Sequence, residues 1–421
     1  MTNTETTGTG TRPLPQPEPG LRPQDVIDRA EAMIPMLRAQ QDEADERGHF
    51  STAVLDQFRA AGFYRMVQPK LFGGYEFDNV TFFEVVYRIS AGHPSSGWCF
   101  CLSATHVSVI CSFLSAEAQQ ELLGPDGEFR SPHRAVPGGE IREVEGGYRV
   151  SGTWRFSSGI PISTHFLGNS LLQRDGTEPK NVAFVVPREQ VTVLDDWGNG
   201  AALGMQGSGS NAVRIDDVFV PADHIIHDDI LFGTTTDFNE GTPGTRLHGN
   251  PRYLGLFDPI YHLSFGAVLA GTARAAVERL RELMPVTKRI LGEGTMAADP
   301  DAVRAIGRCA ALADASHSVM RETAARMDAL LARWARNRAP IAPGELMRLH
   351  ALARQGALLG AEAAQLAFQA GSARASGRSE PLQRYLRDAQ MYLVHASSQP
   401  MIDEARGQAE LGQPLTMVRR R

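Results

Sequence analysis

The stretch GSARASGRSEPLQRYLRDAQMYLVHASSQ, residues 371–399, decides how the rest of the chain is read. It follows a long Ala-rich helical run. Its Gly, Ser and Pro residues read as a turn, a short descent through Pro381 and a new helix. That helix carries Arg387 and Asp388 and, seven residues after the acid, His395. Positions i and i+7 share a helical face, so carboxylate and imidazole are expected on one side, with Met391 and Tyr392 between them.

Outward from this segment the chain divides into an arm (residues 1–22), a helical block (23–126), a β block (127–245) and a second helical block (246–421). In the last of these, residues 301–337 form one candidate helix, which at 1.5 Å per residue would reach roughly 50 Å, a length natural in a bundle. Residues 345–369 are a second, rich in Ala and Gly that permit close helix approach. In the first helical block Val26, Ala30, Met33, Ile34 and Leu37 recur at three- and four-residue steps, and Ser51 is placed to cap a helix through Arg59. Gly62 ends it and KLFGGYEF supplies a loop. TFFEVVYRIS and GWCFCLSATHVSVICSFL follow as helices; the second is apolar nearly all round and should be buried. Between the helical blocks lie short β-branched and aromatic runs, GYRVSGTWRF, HFLGNSLL, NVAFVVP, VTVLDD and AVRIDDVFVP, divided by Gly, Asp and Pro. They predict a small barrel or sandwich, and residues 228–251 read as a loop. The whole is an α+β arrangement of separate blocks rather than the alternating βα pattern of a nucleotide-binding sheet.

With 421 residues the chain exceeds a single core. A net charge of −6, with no Lys/Arg cluster interleaved with aromatics, argues against a nucleic-acid partner. The Arg-Arg-Arg ending reads as a solvated terminus. Cys99, Cys101, Cys111 and Cys309 are too few and too unevenly spaced for a disulfide framework and read as buried thiols. No run of about 18 apolar residues is present, so no membrane span is expected. The polar, Thr/Gly/Pro-rich arm reads as disordered and not as a signal, which points to the cytoplasm. His224 and His227 have a metal-like spacing, but no third ligand is suggested, and no metal is expected.

Four strings carry candidate chemistry. GGYRVSGTWRFSSG, residues 146–159, is a strand, a Gly turn and a strand ending in Ser157 and Ser158; alternation along it allows one of the two to face a bound polar ring. In LGMQGSGSNAVRIDDVFVPADHII, residues 203–226, Gly207, Gly209 and Ala212 satisfy G-x-G-x-x-A, but they precede a strand where a dinucleotide fingerprint must open a helix. PSSGWCFCLSATH places Trp98 and His106 two helical turns apart, able to face one cavity. RSPHRAVPGG offers Ser131 and His133. No Walker, nucleophile-elbow or complete zinc motif occurs.

The order of blocks, the terminal segment with its Arg387-Asp388, the WRFSSG string and the Gly-rich string before a strand ending in Val-Pro together resemble the acyl-CoA dehydrogenase fold superfamily. The resemblance covers most of residues 25–400. It implies an N-terminal helical domain, a central β-barrel or sandwich domain and a C-terminal four-helix bundle, assembled as a homotetramer. Many dehydrogenases of the family carry a catalytic Glu shortly after the Arg-Asp. Here that stretch is VHASSQ, with His395 and no Glu, which is similar to the two-component flavin-dependent monooxygenases, the branch that includes p-hydroxyphenylacetate hydroxylase oxygenase components. That branch implies reduced FMN or FAD supplied by a separate NAD(P)H:flavin reductase, O2, and hydroxylation of a small aromatic substrate through a C4a-hydroperoxyflavin. N- or S-oxygenation is an alternative on the same fold. The resemblance places Trp154 beside the flavin ring, Ser157 or Ser158 at its N5 edge, and His395 and His106 as acid/base groups, with an imidazole titrating near neutral pH. Asp388 is expected to fix the surrounding helix. Trp98, Ser131 and His133 are expected on the substrate side. Arg289 echoes a cofactor-holding Arg of the dehydrogenases, with Leu291 in place of an aromatic, so FMN and FAD stay open. The rival reading, an acyl-CoA dehydrogenase, needs a carboxylate base; Glu362 on a long helix is its candidate.

Overall fold

The computed structural model describes residues 12–174, 176–227, 240–289 and 293–415. The first eleven residues of the expected disordered arm, residues 228–239 of the expected 228–251 loop, Leu291 and the basic terminus lie outside them, and the rest of that loop holds a short helix, Pro243–His248. The first helical block comprises α1 Pro23–Ala39, α2 Gln41–Arg47, α3 Thr52–Ala60, α4 Asn79–Gly92, α5 Pro94–Thr105, α6 Val107–Phe113 and α7 Ala116–Leu123. Helix starts are set by short polar side chains: Ser51, Asp78 and Ser115 each accept a backbone N–H from the first turn of α3, α4 and α7. Gly62 follows α3 at φ +83°, as its position after the periodic run predicts.

The apolar stretch expected as one helix is two, α5 and α6, divided at His106. The break goes with hydroxyls of its own turn and one contact from beyond it. Ser103 and Thr105 donate to carbonyls of the preceding turn, and the His106 ring turns aside to the Ser131 carbonyl. Among the described residues Pro94–Phe113 alone has the length and apolar composition of a membrane-crossing helix, and 94% of it is buried within the protein.

The strands are β1 His133–Arg134, β2 Gly139–Val144, β3 Gly147–Trp154, β4 His165–Leu172, β5 Lys180–Pro187, β6 Thr192–Val193, β7 Val213–Pro221 and β8 Ile225–Ile226. The expected barrel or sandwich is one mixed sheet in the order β6-β7-β3-β2-β4-β5-β8. β2 and β1 pair with β4 in parallel and the other pairs are antiparallel. Trp154, Phe166 and Phe184 pack together in its core.

The C-terminal helices are α8 Pro243–His248, α9 Phe257–Leu283, α10 Pro300–Asn337, α11 Pro343–Ala370, α12 Pro381–Leu393 and α13 Met401–Glu410. α9, α10, α11 and α12 pack on one another, and α4 and α5 lie against α9. Glycine makes the close approach possible: a Cβ at Gly360 would stand 2.6 Å from the Leu269 carbonyl oxygen on α9. Helix α12 ends at Leu393, and His395 instead opens a following 3-10 turn, Ala396–Ser398. The expected shared face of Asp388 and His395 is therefore not formed, because the chain leaves the helix between them.

Candidate active site

Asp388 faces the β block. It accepts the Met205 N–H at 2.6 Å, while the Arg387 guanidinium reaches the Leu203 carbonyl. Gly204 lies so close to α12 that a Cβ there would be 2.3 Å from the Arg387 carbonyl oxygen. The same Gly-rich loop is tied to α2 by Asp45, which accepts from Gly207 N–H at 3.1 Å and from Arg384 Nε at 2.8 Å. Burial opposes the Asp45 charge, but His93 and Arg384 outweigh it and hold the carboxylate at about 2. Burial, and then the Asp45 charge, push Asp388 up to about 6. Asp388 is a clamp between loop and helix, the positional role expected of it.

The clamped loop presents Ser208 and Ser210. Their hydroxyls lie 2.7 Å apart, and Ser210 is 2.7 Å from Ser158, which also accepts the Trp98 indole N–H at 3.3 Å. A hydroxyl has one proton and two lone pairs. When Ser210 donates to Ser158, both Ser158 lone pairs are used and its proton is free for a bound ring edge. Ser157 is enclosed and donates to the Trp154 carbonyl of its own turn. Strand alternation does not separate the two serines, because β3 ends at Trp154 and both lie in the turn after it.

Trp154 sits elsewhere than the resemblance implies. Its ring is 1% exposed in the sheet core and its indole donates to the Asn169 carbonyl at 2.8 Å, so it cannot lie flat on a cofactor. Phe156, two residues on, is 60% exposed at φ +60°, with Trp197 edge-on at 6.2 Å. A non-Gly residue is held at positive φ, and a large apolar ring in water, only where the surroundings fix them, and such outliers gather at ligand sites.

Trp98 stacks on Phe265 of α9 at 4.6 Å and 24°, and the His395 ring stands edge-on to Trp98 at 5.5 Å and 4.7 Å from Phe265. Ser158, Trp98 and His395, drawn from three separate parts of the sequence, thus meet. His395 Nδ1 accepts the Ser397 N–H at 3.1 Å, which leaves the proton of the neutral ring on Nε2. Burial, and then the nearby Arg134 charge, lower His395 to about 4. At neutral pH it is therefore a neutral Nε2–H donor and not the imidazole titrating near pH 7 that the sequence led us to expect.

His106 and His133 form an adjoining cluster. His106 Nδ1 donates to the Ser131 carbonyl at 2.6 Å, and its Nε2 is buried with no hydrogen-bond partner among the described residues. His133 lies 2.8 Å from both the Tyr261 hydroxyl and Asn169 Oδ1, and its ring is 5.4 Å from that of His106. Ser131 serves through its carbonyl, its hydroxyl being turned to Pro132. Burial lowers His106 to about 3 and His133 to about 4. Trp98 and His106 join these neighbouring clusters rather than one helical face, and α9 links the clusters through Tyr261 and Phe265, one turn apart.

Tyr261, Phe265, Asn169 and Arg134 were missed from sequence. The YHLSF spacing on one helix was the available signal for the first two. Glu362 is exposed on α11 and paired with Arg308 at 2.9 Å, so the carboxylate of the dehydrogenase reading does not face this site. Arg289 pairs with Asp299 at 3.2 Å. His224 is buried and, against expectation, has further candidate ligands beside it, Asp223 and, brought in by α7, Glu121. His227 lies by the Tyr148 ring.

The fold and site have clear counterparts. Residues 29–125 match the acyl-CoA dehydrogenase N-terminal domain, and residues 263–400 match the acyl-CoA dehydrogenase C-terminal domain. The crystal structure of 3-HSA hydroxylase from Rhodococcus sp. RHA1 superposes with a TM-score of 0.83 at 27% identity, over 93% of this chain and 98% of that one. The chain belongs to the acyl-CoA dehydrogenase fold family. It is 29% identical, over 93% of its length and 99% of the relative's, to the flavin-dependent monooxygenase oxygenase subunit HsaA of Rhodococcus jostii (strain RHA1). It is 26% identical, over 88% and 90%, to the oxygenase component of FADH(2)-dependent resorcinol hydroxylase from Rhizobium sp. (strain MTP-10005). Within the family it is an oxidoreductase of the flavin-dependent monooxygenase branch.

Proposed function

We propose that the protein is the oxygenase component of a two-component system that hydroxylates a small phenolic substrate, using reduced FMN or FAD supplied by a separate NAD(P)H:flavin reductase. We further read it as a cytoplasmic homotetramer, in line with its family. The observation that carries the reading is the meeting of Ser158, Trp98 and His395. A flavin suits the residues present: Ser158 offers a free proton to a polar ring edge, Phe156 is an exposed aromatic surface held on a strained backbone, and His106 Nε2 is a buried acceptor awaiting a donor. When bound, reduced flavin supplies two electrons to O2, one oxygen atom entering the substrate and the other leaving as water.

The chain's own groups do the rest. Trp98 and Phe265 wall an apolar space that excludes water. His395 presents Nε2–H, and Arg134 sets up a positive field felt by both His133 and His395. The Arg134 charge, which adds to burial in keeping His395 neutral, favours a phenolate over a phenol, and a phenolate ring is the more electron-rich acceptor of oxygen. His106 and His133, fixed by Ser131, Tyr261 and Asn169, hold the substrate from the other side. To test this, the protein is mixed anaerobically with photoreduced FMN or FAD and a panel of phenols, then exposed to labelled O2. Label in a hydroxylated product supports the reading. Protein isolated with stoichiometric oxidised FAD that is bleached by an acyl-CoA, and no labelled product, refutes it.

A further inference from the structure

Asp258 and His262 are one turn apart on α9, the i, i+4 spacing that puts both side chains on one helical face. His350 comes from α11, packed against α9. Their ligand-type atoms lie within 4.8 Å of one another. His350 Nε2 is 3.1 Å from Asp258 Oδ2, and His262 Nε2 is 3.9 Å from Asp258 Oδ1. The two imidazoles meet edge-on at 4.9 Å and 82°. His350 is 2% exposed and His262 5%. Yet neither ring nitrogen of His350, nor Nδ1 of His262, has a hydrogen-bond partner among the described residues. The 3.1 Å approach is thus a convergence of donor atoms without an N–H in line.

Such an arrangement is costly as it stands. A buried polar atom without a partner has lost its hydrogen bonds to water and gained none in exchange. Neutral imidazole and ionised carboxylate are the forms that bind a metal ion.

We propose that Asp258, His262 and His350 form a binding site for a divalent transition metal of the Zn2+ class. Two imidazoles and a carboxylate suit a borderline ion. A tetrahedral ion with bonds of about 2.1 Å needs ligand atoms about 3.4 Å apart, between the 3.1 and 3.9 Å observed. Three protein ligands leave a fourth position for water. α9 and α11 are held close, Gly360 bringing the α11 backbone against Leu269. The ion would pin α9 to α11 at the turn that carries Tyr261 and Phe265.

The test needs no flavin. Chelator-stripped protein is titrated with Zn2+ by calorimetry and with Co2+ by visible absorption. The expected result is one ion bound per chain through this triad, Co2+ bands of a four- or five-coordinate site, and a raised Tm. Asp258→Asn, which keeps shape and volume, and His262→Gln should each weaken binding at least about a hundredfold while far-UV circular dichroism is unchanged. His224→Ala, which removes the other His/carboxylate group, should leave this binding intact. Failure of the stripped protein to take up Zn2+, or unchanged uptake in both triad variants, overturns the proposal.

Discussion

At the scale of single residues, His395 and the serine pair are the points on which the site can be tested. His395 is pinned through Nδ1 by Ser397, which leaves the ring proton on Nε2. Asn keeps a polar side chain but lacks the reach of the ring, so His395→Asn should fold as the wild type and lose about 10²-fold or more in hydroxylated product. Flavin oxidation should continue, and its electrons should appear as hydrogen peroxide. Wild-type coupling in a folded variant would remove His395 from the chemistry. Ser158→Ala should weaken reduced-flavin binding by roughly 2- to 10-fold, the worth of one hydrogen bond. Ser157→Ala, whose hydroxyl is spent on its own turn, should leave that affinity unchanged in an equilibrium titration. Equal effects of the two would refute the assignment of Ser158.

At the scale of elements, the loop that carries Ser208 and Ser210 is held against α12 by Asp388 and against α2 by Asp45. Gly204→Ala puts a methyl group into the Arg387 backbone, which cannot rotate aside as a side chain can. The loop must retreat, losing the Met205–Asp388 hydrogen bond. A destabilisation of about 1–3 kcal/mol is expected, with weaker flavin binding, read by thermal melts and flavin titration. Gly307→Ala, in an open part of α10, should be neutral or slightly stabilising in the same melts.

The elements themselves were largely legible, because long periodic runs and Ser or Asp caps are local signals. The helices at 300–337 and 343–370 and the strands β3, β4, β5 and β7 fall close to where the pattern puts them, whereas the run VTVLDD yields only the two-residue β6 and β2 was not read. What was not legible depended on contacts from far along the chain. The helix break at His106 is tied to Ser131, and the exit of the chain from α12 before His395 creates a turn that i+7 arithmetic cannot see. The Trp154 ring turns into the sheet because Phe166 and Phe184 are there. Of the site, Ser158, Trp98, His395, His106 and His133 were named from sequence. Tyr261 and Phe265 offered only the weak signal of their YHLSF spacing, and the Asp258–His262–His350 group went unread because His350 is brought to the other two by helix packing.

At the scale of the whole molecule, buried and half-buried imidazoles set the response to acid. His106 and His350 are lowered to about 3, and His133, His165, His248, His262 and His395 to about 4, with burial the leading cause in each. An unfolded histidine titrates near 6.5. Above about pH 7 neither state is protonated and these groups do not affect stability. As pH falls through 6.5 the unfolded chain takes up protons that the native fold refuses, each worth about 1.4 kcal/mol per pH unit until the folded value is reached. Asp388, raised to about 6, and Asp328, also raised by burial, act in the opposite sense, but they are two groups against seven. Tm should therefore drop steeply between pH 6.5 and 4.5 and be flat from pH 7 to 8. A flat profile through pH 5 would contradict the burial of these rings.

The apolar segment Pro94–Phe113 has a consequence for how the protein is made. Its cover includes α9, which begins at Phe257, far along the chain from the segment it shelters. A ribosome adding ~5–20 residues per second delivers that cover on the order of ten seconds after the segment emerges. During that interval the nascent chain displays a helix greasy enough to be taken for a membrane anchor. Co-expressed chaperone is thus expected to raise the soluble yield of this chain, and a yield unchanged by it would count against that exposure.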